Sequence, residues 1–213
     1  MRVDTFVTGA FQENCYLVSD PATRRAVLVD PGSDGAALVD AVRDAGVSLE
    51  AIWLTHAHVD HIGGIAAVVA AFHVPVYLHP ADRPLYDRGA DVAQFYGIPF
   101  DVPGPPDREL SDGDHLTLGS LRFEVMHTPG HAPGHVVIHG GGVAFVGDCL
   151  FAGSIGRTDL PLSDGALLER SLVRIMSLPD DTVVYSGHGP ATTIGDERES
   201  NPFVNGIARP LKR

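Results

Sequence analysis

The stretch Ala51-Ile52-Trp53-Leu54-Thr55-His56-Ala57-His58-Val59-Asp60-His61 runs from a short apolar segment into four side chains of metal-binding type. Residues 51–54 read as a buried strand. After Gly63-Gly64, the apolar run from Ile65 to Phe72 reads as a helix packed on a core. The cluster therefore falls where a strand ends and a helix begins, the edge at which open α/β sheets bind ligands. Side chains two apart share one side of an extended segment, so His56 and His58 can reach one ion together. Asp60 and His61 follow as the chain turns and can face a second ion. A surface loop commonly carries a single histidine, whereas H-x-H-x-D-H spacing points to metal.

Three other places repeat the device. Phe123-Glu124-Val125-Met126 leads to His127-Thr128-Pro129-Gly130-His131, Val143-Ala144-Phe145-Val146 leads to Gly147-Asp148, and Val183-Val184-Tyr185 leads to Ser186-Gly187-His188. Each time an apolar run ends, small residues turn the chain and a ligand type follows. The constellation is His56, His58, Asp60, His61, His131, Asp148 and His188. A set of this size fits two divalent ions. Imidazole and carboxylate without cysteine suit zinc, iron or manganese, and zinc is the expectation. One carboxylate can bridge ions ~3.5–4 Å apart, and a hydroxide between them is a nucleophile at neutral pH. Asp148 is the expected bridge, because its own segment offers no other ligand type apart from Cys149. Asp60 and Asp148 are the carboxylates assigned to catalysis.

Asp30 closes the apolar run 26–29 on the same kind of turn and is expected to accept from a ligand imidazole. His127 and His135 flank His131 and are candidates for a similar supporting role. Cys149 reads as a small core hydrophobe. His73, His79, His115 and His139 read as structural or surface residues.

Working outward, strands are expected at 3–7, 15–19, 26–29, 51–54, 74–78, 115–118, 121–126, 135–138, 143–147 and 182–185. Helices are expected over 36–45, stopped by Gly46, over 65–72, over 82–96 as a partial cover of the site, and over 165–177. Each half of the chain then supplies a mixed sheet and helices, which suits two sheets packed face to face with helices outside. The fold class is α/β (α+β).

With 213 residues, 44% hydrophobic and 20% charged, the chain suits one soluble domain with a sizeable core. A net charge of −12 argues against a nucleic-acid surface, which needs clustered Lys and Arg. The two cysteines form no C-x-x-C and read as reduced, in a cytoplasmic protein. The N-terminus opens no apolar signal segment, and no run reaches the ~18 apolar residues of a membrane span.

The motifs T-H-A-H-V-D-H at 55–61, T-P-G-H at 128–131, G-D at 147–148 and G-H-G at 187–189 resemble those of the metallo-β-lactamase-fold hydrolases. That resemblance implies an αββα sandwich with the metal site at one edge. It also implies His56, His58 and His131 on a first ion, Asp60, His61 and His188 on a second, and Asp148 between them. The chain departs from zinc β-lactamases, which usually place a cysteine at the position of Asp148 and lack the histidine at that of His61. Residues 150–159 and the tail from Gly187-His188-Gly189-Pro190 to Asn201-Pro202-Phe203 are similar to the short glyoxalase II-like (hydroxyacylglutathione hydrolase-like) branch. Full-length glyoxalase II adds a C-terminal helical domain that helps to hold glutathione. This chain reaches Arg213 too soon after His188 for one, so residues 1–213 are expected to form a single domain.

Arg157 stands where glyoxalase II has a basic residue that contacts the glutathione part, which implies a small-molecule anionic substrate. The expected reaction is hydrolysis of a thioester such as S-lactoylglutathione by the bridging hydroxide. Two alternatives share the fold. One is a glutathione persulfide dioxygenase with a single iron, whose relatives share Gly156-Arg157-Thr158-Asp159. The other is a lactone hydrolase. No nucleic-acid or membrane partner is expected.

Overall fold

The computed structural model describes residues 1–210. The first half of the chain builds one sheet from β1 (Arg2–Thr8), β2 (Glu13–Asp20), β3 (Arg25–Val29), β4 (Ser48–Trp53), β5 (Val76–Leu78) and β6 (Arg108–Glu109), side by side in that order. The β1–β2 and β2–β3 pairs are antiparallel and the rest parallel, so the sheet is mixed. The second half contributes β7 (His115–Leu118), β8 (Leu121–His127), β9 (Val136–Gly140) and β10 (Val143–Gly147). A small hairpin of β11 (Leu150–Phe151) and β12 (Ser154–Ile155) follows, then β13 (Val183–Ser186) and β14 (Thr192–Thr193). Its six-stranded order is β14-β13-β10-β9-β8-β7, with β10 and β13 parallel.

All eight residues of β2 are buried. Alternation along a strand sends successive side chains to opposite faces, and both faces of this sheet are covered. Cys15, Leu17, Leu28 and Ile52 face the helices, packed with Leu38 and Val42 of α1 (Gly35–Ala45). The intervening Tyr16, Val18, Val27, Val29 and Trp53 face the second sheet and meet Phe123, Val125, Ile138 and Phe145. The second sheet's outer face carries Met126, Val137, Ala144 and Val146 against Leu168, Leu172 and Ile175 of α6 (Gly165–Ile175). The layers are thus helix, sheet, sheet, helix.

The helices between the sheets' elements set the rim of the site. They are α2 (Val59–Ile62), α3 (Ile65–Phe72), α4 (Arg83–Asp87), α5 (Gly89–Tyr96), α6 (Gly165–Ile175) and α7 (Ile194–Ser200). Gly46 ends α1 in the left-handed conformation, φ 62°, which only glycine adopts freely. The single helix expected over 82–96 is instead a 3₁₀ turn at Pro80–Asp82, then α4 and α5. The break falls at Arg88–Gly89, where a Cβ on Gly89 would lie 2.7 Å from the ring of Phe100. Arg88 leaves helical geometry there, at φ −96° and ψ 7°, and the glycine after it lets Phe100 pack close. Strand β6, the β11–β12 hairpin, β14 and α7 were not anticipated from hydrophobic pattern. The three sheet-paired elements are two residues per strand, too short to show a period.

The two sheets are tied at the end where the ligand-type residues gather. Asn14 N–H donates to Gly187 O at 2.7 Å, and Tyr16 Oη–H donates to Ser186 O at 2.5 Å. These bonds hold the turn after β13 against β2.

Candidate metal centre

Residues 56–58 leave β4 extended, and α2 then turns the chain, so His56 and His58 point to one place while Asp60 and His61 swing to another. Ring or carboxylate atoms of His56, His58 and His131 lie within 4.8 Å of one another, as do those of Asp60, His61 and His188. The Nδ1 of His58 and Nε2 of His131 are 2.8 Å apart. Asp148 sits between the two groups. Its Oδ1 is 3.4 Å from His61 Nε2, and its Oδ2 is 3.5 Å from His131 Nε2 and 3.6 Å from His188 Nε2. His188 Nε2 also lies 3.3 Å from Asp60 Oδ2. The structure brings all seven sequence-predicted residues together.

These atoms are short of partners. His56 Nε2, His61 Nε2 and Asp148 Oδ1 are buried and make no hydrogen bond. An unsatisfied buried polar group costs about 1–3 kcal/mol, and cations held by the two groups would satisfy these three atoms. The chemistry of the set fits as well, being imidazole nitrogens and carboxylate oxygens of the kind that hold divalent transition metals. A third group within 4.8 Å, Asp30 with His56 and His61, is accounted for by hydrogen bonds. His61 Nδ1–H donates to Asp30 Oδ2 at 3.0 Å. Thr55 Oγ1–H donates to Asp30 Oδ2 at 2.5 Å, and its N–H donates to Asp30 Oδ1 at 2.7 Å. His56 Nδ1 lies 3.1 Å from Thr55 Oγ1, which has given its own proton to Asp30 and so accepts. One carboxylate therefore fixes two imidazoles with Nε2 free to bind. On the other side His131 Nδ1–H donates to Arg157 O at 2.9 Å, which leaves Nε2 as its unprotonated nitrogen, beside His58 Nδ1.

Burial alone would raise Asp148, but the charge of His61, 3.4 Å away, then that of His131 and His188, holds its carboxyl well below the usual range. Burial opposes charge on His61 too, yet Asp148 and Asp60 push it well above an ordinary imidazole. His56 is driven well below by burial and by its imidazole neighbours. Cations would compete with protons for these imidazole nitrogens.

Supporting residues sort differently from the sequence expectation. His135 is buried and accepts from Asp148 N–H at 3.1 Å through Nε2, while its ring stacks on His56 with centroids 5.0 Å apart. His127 points away and stacks on His79. Cys149 Sγ–H donates to Thr128 O at 3.3 Å and packs in the core under α6. Gly187 is required by space, since a Cβ there would fall 2.1 Å from Asp148 Oδ1.

Asp82 escaped the sequence reading. It lies in a stretch broken by prolines and does not follow an apolar run and turn as the other ligand-type residues do. Its Oδ2 accepts from Ala57 N–H at 2.9 Å and its Oδ1 from Gly134 N–H, so it ties the 56–58 segment to the loop carrying His131. Burial pushes its carboxyl up to about 6 against those two hydrogen bonds. A carboxyl free in the unfolded chain titrates near ~3.9, so the folded state holds the extra proton between these values. Stability from this group is present below about pH 4 and is lost as pH rises through about 6. In the metal-free protein, the urea stability of wild type minus that of Asp82→Asn is expected to fall across this interval. A difference constant with pH would contradict the assignment.

The Metallo-beta-lactamase superfamily domain matches residues 8–188. The chain is 37% identical to the hydroxyacylglutathione hydrolase GloC of Haemophilus influenzae over 210 residues, 96% of this chain and 99% of that one. Among solved structures it is similar to the BLEG-1 B3 metallo-beta-lactamase, with TM-score 0.90, 41% identity, and 96% and 100% of the two chains covered. It is also similar to TTHA1623 in a di-iron-bound form, with TM-score 0.88, 44% identity, and 94% and 100% covered. The two mixed sheets, the clustered histidines and aspartates and these matches together establish that the chain belongs to the metallo-β-lactamase superfamily.

Proposed function

We propose that this chain, a metallo-hydrolase by family and by its clustered ligand types, is a thioester hydrolase of the glyoxalase II type acting on S-lactoylglutathione or a related acyl thioester. The observation that carries the reading is the placement of Asp148 between two three-residue groups, each able to hold an ion. The GloC relative supports the thioester class. His56, His58 and His131 are assigned to one ion, Asp60, His61 and His188 to the other, and Asp148 to both. Zinc is the proposed metal. Iron is the rival, given the di-iron form of TTHA1623. The proposed unit is a single domain over residues 1–213, working in the cytoplasm. Among the described residues no helix is long and apolar enough to cross a membrane.

Divalent ions bound here supply a Lewis acid for the acyl carbonyl and an activated water. The chain's own contribution is to hold and orient. Asp30 and Thr55 fix the ligand tautomers, and Asp82 and His135 fix the segments that carry them. No side chain is needed to protonate the departing sulfur, because a thiol of pKa near ~8.5 leaves readily as thiolate. A cleft of about 750 Å³ opens over His58, Asp60, His131, Asp148 and His188 and receives the substrate.

Arg157 lines this cleft and is the proposed contact for a substrate carboxylate. Its guanidinium is already bound twice by Asp159, at 2.9 Å each, and is largely exposed. A substrate anion must share it, so Arg157→Ala is expected to raise KM for S-lactoylglutathione by about three- to tenfold with kcat little changed. An equal loss on a small neutral thioester would instead assign Arg157 to holding the loop behind His131.

Loss of S-lactoylglutathione absorbance by the purified chain, abolished by a chelator and restored by zinc, tests the reading. Full metal loading with no turnover of this or any other acyl thioester would refute it.

A further inference from the structure

The cleft over the metal centre is walled by more apolar surface than a lactoyl group can use. Phe11, from the turn between β1 and β2, meets Tyr96, at the end of α5, edge to face with ring centroids 5.3 Å apart. Phe95 adjoins Tyr96 at 5.2 Å. Leu85 and Val92 continue this wall inward, and Phe151 closes the far side beside His188. Three segments remote in sequence thus make one apolar surface that ends at the reacting centre. Its outer part lies open: Phe95 is 83% exposed, Tyr96 48% and Phe11 39%. Grouped aromatic side chains left in water at the mouth of a cleft mark a place where something apolar is received.

The polar lining outside the metal-ligand set has a different chemistry. It consists of Arg88, Asp91 and Arg157. Among the described residues Arg88 forms no ion pair, which leaves its charge available. Resting on the thioester reading above, the anionic thiol part of the substrate belongs with the arginines. The apolar wall is then left to the acyl part.

We propose that the preferred substrates are thioesters of medium-length apolar acyl chains, from hexanoyl to decanoyl, with the chain laid along Leu85, Val92, Phe95 and Tyr96. In the reaction, the oxygen of water bonds to the acyl carbon and the C–S bond breaks with its electron pair on sulfur. A carboxylate and a thiol leave, with one proton released to solvent.

The metal-replete full chain is to be assayed on acetyl, butyryl, hexanoyl and octanoyl esters of one thiol, glutathione. Each added methylene buried on the wall should raise kcat/KM by about threefold. The slope should flatten in Phe95→Ser/Tyr96→Ser. It should persist in Val173→Ser, a change at an exposed apolar residue of α6 away from the cleft. Binding is read separately by calorimetry with the uncleavable thioethers S-ethylglutathione and S-octylglutathione. The octyl compound should bind at least tenfold more tightly to wild type, and the advantage should shrink in the double variant. If thioesters are cleaved with no dependence on chain length, the acyl-chain inference is overturned and the thioester reading stands. If none is cleaved, the thioester reading falls. In that case the calorimetry alone decides the wall, and equal affinity for the two thioethers overturns it.

Discussion

Asp148→Ala is expected to cut thioester hydrolysis at least about a thousandfold and to empty both metal positions. The carboxylate reaches both groups, with Oδ1 near His61 and Oδ2 near His131 and His188. On the proposed assignment, its removal would take one ligand from each ion. Losing a single stabilising group at a reacting centre commonly costs about a hundred- to a thousandfold, and here metal loss adds to that. His188→Ala should be milder, because His188 touches Asp60 and Asp148 but not the His56, His58 and His131 group. Elemental analysis of both variants beside the wild type checks the order. An Asp148→Ala protein that kept both metals and most of its rate would remove the bridge from the account.

Asp30→Ala is expected to lower urea stability by about 3–5 kcal/mol, the usual loss when a buried charged group is deleted from its partners. It should also weaken metal binding about ten- to a hundredfold, as loss of a partner behind a ligand does. Asp30 accepts from Thr55 N–H, Thr55 Oγ1–H and His61 Nδ1–H while only 2% exposed. Through Thr55 it also fixes His56. Part of the alanine effect comes from the backbone, since Asp30 holds φ 49°, a conformation that alanine tolerates poorly. Asn tolerates it better, so Asp30→Asn separates the two causes. The amide cannot accept at both ends, so metal affinity measured against a chelating dye should still fall. Unchanged affinity in Asp30→Asn would show that ligand orientation does not depend on this carboxylate.

The clustering of the candidate ligands was legible because they come from ends of apolar runs, a local signal. Residues 51–61, 123–131, 143–148 and 183–188 each carry strand and ligand in one short segment, and the fold only has to set four strand ends side by side. The two-sheet architecture was legible for a related reason. Strands β2, β3 and β10 are apolar on both faces, as strands between two layers must be. Asp30 as the support of a ligand imidazole followed from its place at a strand end. Asp82 did not, because its partners are backbone N–H groups of Ala57 and Gly134, which leave no mark on residue type. The meeting of Phe11 with Tyr96 was likewise closed to local reading, because it joins segments far apart in sequence.

The central claim is hydrolysis at a pair of ions. It is tested most directly by measuring metal content and two reactions on one purified sample grown in metal-replete medium. The expected result is about two transition-metal ions per chain, with S-lactoylglutathione lost at a rate that consumes no oxygen. Oxygen uptake with glutathione persulfide, from protein holding a single iron and inert toward the thioester, would contradict it.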